Sequence, residues 1–198
     1  MFESCSSLIE APKMESLETI LSSGCRAMFK DCTSLSAGIG KVQINTIGYA
    51  GCYQMFYNCH NLETELPIIL AENMEDFACG YMYFNNYKLT QAPELPATQL
   101  TNSCYNQMFY GCSSLTVSPI LSAENPVAGC YNAMFNSCSN LNNVTINLSS
   151  WTDSEGNYVT DNWLSGVAEA GTFTSLNTNL TIDSMGPSTV PAGWTINK

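Results

Sequence analysis

The sequence predicts an α/β repeat fold: a solenoid of stacked units of about 26 residues, with a parallel sheet on one face and short helices on the other. Three observations predict it. One motif recurs as MFESCSSL at 1–8, MFKDCTSL at 28–35, MFYNCHNL at 55–62, MYFNNYKL at 82–89, MFYGCSSL at 108–115 and MFNSCSNL at 134–141. Its methionines, at 1, 28, 55, 82, 108 and 134, differ by 27, 27, 27, 26 and 26. A second cysteine precedes the Met, as Cys25, Cys52 and Cys79 three residues upstream and as Cys104 and Cys130 four upstream, so it drifts with the shortening period. Between motifs the order Leu, three residues, Pro returns, most clearly in LTQAPELPATQL at 89–100 and LTVSPIL at 115–121.

Each unit resolves into two elements. Around CYNQMFYGC, Cys, Met or Phe, and the second Cys return every three to four residues, which predicts a short helix with one apolar face. The Leu and the residues after it predict a short strand, with Pro ending it or lying where no ladder donor is needed. One helix and one strand bury no core alone, but stacked copies share one. Phe29, Phe56, Phe109 and Phe135 are expected to fill one layer, with Leu35, Leu62, Leu89, Leu115 and Leu141 beside it. Unit four departs most, with Tyr83 for Phe and Asn86 for Cys. Residues 1–150 are therefore expected to form about five and a half repeats and 151–198 a C-terminal cap. In the cap, Thr160 or Asp161 starts a helix whose buried stripe is Trp163, Leu164 and Val167 and which Gly171 ends; GTFTSL and TVPAGWTIN follow as short strands. Met1 and Phe2 fall inside a repeat, so the N-terminal edge is expected to be uncapped and covered by upstream sequence or a partner chain.

The motif resembles that of the BspA-like leucine-rich repeats of surface and fibre proteins of gut Bacteroidales and their bacteriophages. The likeness is strongest in CYNQMFYGCSSLTVSPIL at 104–121 and CYNAMFNSCSNL at 130–141, covers most of 1–150, and extends to the ending GWTINK. It implies a leucine-rich-repeat solenoid with a role in attachment or recognition, and an extracellular place on a virion or bacterial cell surface. It implies no particular ligand.

Composition narrows the function classes. The apolar share is 45%, ordinary for a folded chain, while 6 Lys and Arg stand against 17 Asp and Glu for a formal charge of -11. Such a chain repels phosphate backbones and anionic lipid, so nucleic acid is not an expected partner. No run reaches the roughly 18–20 apolar residues of a spanning helix, and membrane insertion is not expected. All ten cysteines lie on the repeat; pairs seven apart along a helix are separated by about 10.5 Å, beyond disulfide reach, so reduced, buried cysteines are expected. No close Cys or His pair suggests zinc, and no metal or other cofactor is expected. His60 follows Cys59, but a core thiol cannot serve as a nucleophile, and SAGIGKV at 36–42 lacks the first Gly and the Ser or Thr of a phosphate loop. Glu63, Glu65, Glu72, Glu75 and Asp76 lack calcium-loop spacing and read as a solvated acidic face. No catalytic residues are assigned, and no enzymatic activity is expected.

What varies between copies is where a solenoid recognises its partners. The candidate ligand-binding positions are Glu63, Thr64, Thr90, Gln91 and Thr116 after the repeated Leu, and the polar-tipped rings of Tyr53, Tyr57, Tyr105, Tyr110 and Tyr131. The expected function is a non-catalytic recognition or adhesion module that binds a glycan or protein on a host or partner surface. The alternative is a structural spacer or assembly subunit, such as a homo-oligomer, joined through the open N-terminal edge.

Overall fold

The computed structural model describes residues 1–14, 16–40, 42, 44–63, 71–182 and 185–198. It is a parallel β-solenoid of about six turns. Strands β1 (Thr19–Ile20), β2 (Thr46–Ile47) and β3 (Asn73–Met74) form one parallel sheet in register, with Ile20 opposite Ile47 and Ile47 opposite Met74. Strands β4 (Val117–Leu121), β5 (Asn143–Ile146), β6 (Gly171–Ser175) and β7 (Trp194–Asn197) form a second parallel sheet in chain order. The first set lies just before the Cys-Met-Phe motif, whereas β4 and β5 lie just after the repeated Leu, where strands are expected from the sequence. No strand is assigned between Met74 and Val117 among the described residues: Pro93 and Pro96 in this turn have no amide to give a ladder.

The expected helices are corrected. No described residue is helical, and the motif segment is a ribbon of successive four-residue turns. In the second turn, alternate amides donate to the next turn: Ser23 to Tyr49, Cys25 to Gly51, Ala27 to Tyr53, Phe29 to Met55 and Asp31 to Tyr57. The amides between them close local turns, Arg26 onto Ser23, Met28 onto Cys25, Lys30 onto Ala27 and Cys32 onto Phe29. Every fourth residue is left-handed, with φ 57° at Ser23, 50° at Ala27 and 59° at Asp31, and the pattern repeats at Ala50, Gln54 and Asn58. Spacing explains the choice. Helices pack about 8–10 Å apart, but strands stack about 4.8 Å apart. A ribbon that donates half its amides to its neighbour keeps strand-like spacing on both sides of the turn, whereas a helix bonds only to itself.

The ribbon buries two residues and exposes two. Met55 and Phe56 are buried between the outward pairs Tyr53–Gln54 and Tyr57–Asn58. The rings of this layer stack along the axis, from the half-buried Phe2 to the buried Phe29 at 5.4 Å, Phe29 to Phe56 at 5.3 Å, Phe56 to Tyr83 at 5.6 Å, Tyr83 to Phe109 at 5.6 Å and Phe109 to Phe135 at 5.6 Å. The core leucines predicted from the repeat, Leu35, Leu62, Leu89, Leu115 and Leu141, are all fully buried. Cysteine fits the last buried position because it is small and its thiol donates to a neighbouring turn: Cys32 to Phe2 O (2.9 Å), Cys59 to Phe29 O (3.0 Å), Cys112 to Tyr83 O (3.1 Å) and Cys138 to Phe109 O (3.0 Å). All ten thiols are free and only Cys5 is exposed. In turn four Asn86 takes this place, and its buried amide, like the buried Tyr83 hydroxyl, finds no hydrogen-bond partner among the described residues.

The helix expected from Thr160 to Gly171 is likewise a ribbon. Tyr131, Ala133, Phe135 and Ser137 donate to the carbonyls of Val159, Asp161, Trp163 and Ser165, and Asn162 (φ 53°) and Gly166 (φ 72°) take the left-handed places. VTDNWLSGV at 159–167 is thus a degenerate copy of CYNAMFNSC at 130–138, with Trp163 in the Met position. The strands expected in GTFTSL and TVPAGWTIN are β6 and β7, which extend the sheet begun by β4. Three indoles tie this end together, Trp151 donating to Thr181 O (2.7 Å), Trp163 to Thr189 O (2.7 Å) and Trp194 to Ala168 O (2.9 Å).

Candidate functional site

The outward pairs of the ribbon line up from turn to turn and make rows of side chains. In one row Lys30 Nζ lies 5.6 Å from the centroid of the Tyr57 ring, Tyr57 stacks on Phe84 at 4.7 Å, and Phe84 stacks on Tyr110 at 4.6 Å. In the row beside it the Arg26 guanidinium lies 5.3 Å from the Tyr53 centroid, and Tyr53 meets Tyr81 at 5.4 Å. A third contact stacks His60 on Tyr87 at 4.8 Å. Tyr49 and Phe77 meet edge to face at 6.0 Å on the remaining side, both exposed. Tyr81 bridges the rows, lying 5.8 Å from Phe84 and accepting from Gln107 Nε2 at 2.7 Å. The outcome is a half-exposed aromatic face spanning neighbouring turns, edged by cations at its N-terminal margin.

No protein family, curated protein or solved structure matches the chain. The site is therefore read from its own geometry.

The left-handed residues beside the aromatics hold the face in register. Asn58 Nδ2 donates to Asp31 Oδ1 at 2.8 Å and Asn85 Nδ2 to Asn58 Oδ1 at 3.2 Å, a ladder of short polar side chains at positions whose backbone suits Asn and Asp. Glu75 accepts the Tyr49 amide at 2.7 Å and Asp76 accepts the Asn102 amide at 3.0 Å, so these carboxylates pin adjacent turns together. Burial pushes the Tyr53 and Tyr57 hydroxyls above the usual tyrosine range, with Arg26 opposing the shift at Tyr53. Both rings stay neutral donors at physiological pH.

Of the residues singled out from the sequence, Tyr53, Tyr57 and Tyr110 lie on this face, half-buried. Tyr105 and Tyr131 point inward instead, 2% and 1% exposed and stacked on each other at 6.1 Å. They occupy the first buried pair of the ribbon, after Cys104 and Cys130. Glu63 is exposed and pairs with Lys88 at 3.1 Å, next to Tyr87. Thr90, Gln91 and Thr116 are exposed on the stretch after the ribbon, and Thr64 lies outside the described residues. Sequence reasoning missed Tyr49, Phe77, Tyr81, Phe84 and Tyr87, and the cations Arg26 and Lys30. A period of four, two residues in and two out, would have found most of them. Among the described residues no three His, Cys, Asp or Glu side chains converge as a metal site, and no helix is long and apolar enough to cross a membrane.

Proposed function

We propose that the protein is a non-catalytic recognition module that binds its partner through the aromatic face of the ribbon. One observation carries the reading: the continuous outward row Tyr57, Phe84, Tyr110, flanked by the exposed rings of Tyr49, Phe77 and Tyr87. Flat rings with polar tips supply contact area at low conformational cost, and a contiguous exposed patch of them marks an interaction surface. The motif's resemblance to BspA-like surface and fibre proteins supports display on a virion fibre or bacterial surface, where the partner is a glycan or protein of a host. The test is binding of the whole chain to a glycan array and to washed bacterial envelopes, compared with the double variant Tyr49→Ser, Tyr87→Ser. The rings are 49% and 44% exposed, so folding should survive both substitutions. Binding that falls at least tenfold at unchanged melting temperature supports the reading; equal binding by both proteins, or none by either, overturns it.

A further inference from the structure

We propose that the hollow at the cationic margin of the aromatic face binds a pyranose sugar bearing a carboxylate, with Arg26 as the partner of the acid group. The inference rests on the recognition reading and names its ligand class. The hollow has a volume of about 180 Å³ and is lined by Arg26, Tyr49, Ala50, Tyr53 and Phe77. That is below the roughly 300–1,000 Å³ typical of small-ligand sites, so the hollow seats a single ring of a longer glycan. Tyr49 and Phe77 meet at an interplanar angle of 73° and form a corner, and Tyr53 supplies a further wall. Ring faces set at an angle suit the apolar C–H faces of a pyranose, and the Tyr49 and Tyr53 hydroxyls can reach its oxygens.

Charge selects the acid. The chain carries only 6 cationic side chains against 17 carboxylates. Lys30 and Lys88 beside this face are committed to Glu3 (3.8 Å) and Glu63 (3.1 Å), whereas Arg26 has no ion-pair partner among the described residues. The ring of Tyr53 holds its guanidinium over the hollow, 5.3 Å from the centroid, with its planar donors available to a carboxylate in bidentate fashion. The nearby carboxylate of Glu75 is occupied by the Tyr49 amide. Two further hollows, beside Pro93 and beside Pro187, each have a single charged lining residue, the carboxylates Glu94 and Glu169. Neither offers a cation to an acid.

The experiment is calorimetric titration of the whole chain with a glucuronate oligosaccharide and a sialyl oligosaccharide, each paired with its carboxyl-reduced form. At least one acid sugar is expected to bind about tenfold or more tightly than its reduced counterpart. Arg26→Gln should remove that preference, while Tyr49→Ser weakens both forms. Equal affinity for acid and reduced forms, or a preference that survives Arg26→Gln, overturns the proposal and leaves the aromatic face standing. If no sugar binds while envelope binding still depends on Tyr49 and Tyr87, the partner is a protein and the proposal falls alone. If envelope binding is also independent of those rings, both readings fall.

Discussion

Gly111→Ala separates the turn ribbon from a helix by the sign of its effect. In an exposed helix interior, Ala is more favourable than Gly by roughly 0.5–1 kcal/mol, so a helical motif segment would be stabilised. In the ribbon Gly111 has φ 73°, the left-handed place that Asp31, Asn58 and Asn85 fill in the preceding turns. A side chain there costs about 1–2 kcal/mol. The reduced freedom of the unfolded chain offsets about 0.4–1 kcal/mol of this. The added Cβ would meet Asn85 Oδ1 at 2.5 Å, so the Asn85 amide must rotate and give up its 3.2 Å bond to Asn58, a loss of about 0.5–1.5 kcal/mol. The balance is a destabilisation of about 0.5–3 kcal/mol, or about 1–12 °C in a domain of this size. Gly111→Asn should cost less, because Asn tolerates the left-handed region and its amide can join the ladder. Urea midpoints of the three proteins at constant slope decide the matter. A stabilised Gly111→Ala variant would refute the ribbon.

Restoring the repeat in turn four should stabilise the protein: Asn86→Cys and Tyr83→Phe each remove buried polar atoms without a partner, and each is expected to gain about 1–3 kcal/mol in denaturant unfolding; a loss in either would show that these groups are satisfied. Phe109→Ala, in the middle of the ring stack and 0% exposed, should cost about 3–5 kcal/mol in the same assay, and a cost below about 1 kcal/mol would remove the stack from the core. Alkali should unfold the chain through its thiols. Burial raises Cys104, Cys130 and Cys138 from 9.0 to about 12, so their stabilising effect is complete below pH 9 and is lost as pH rises toward the folded value. By pH 10 each has lost one pH unit of differential ionisation, together on the order of 4 kcal/mol. Urea midpoints at pH 7.5 and 10 check this, with a Cys138→Ala variant expected to lose less over the interval and an equal loss counting against the thiol origin.

The sequence by itself determined the stacking. A motif returning every 26 or 27 residues has to place like residues beside like, and that placed Phe29, Phe56, Phe109 and Phe135 in one layer and the repeated leucines beside them. It also indicated the short strands after the repeated Leu in β4 and β5, and those of the last segment. The ribbon was not legible, because Cys52, Met55, Phe56 and Cys59 fit a period of 3.6 and a period of four equally well over so few residues. The discriminating signal was faint: small or turn-forming residues at every fourth position, as in Ser23, Ala27 and Asp31, broken in turn four by Phe77 and Tyr81. The outcome moved the candidate site. Under a helix Tyr105 and Tyr131 can share a face with Tyr53, whereas under a period of four they belong to the buried pair and Phe84 and Tyr87 come outward. Only the tertiary structure decided between these periods, because the alternate amides of Ser23 to Asp31 find their acceptors on the next turn, and a bond between residues about 26 apart leaves no mark in the local pattern of either.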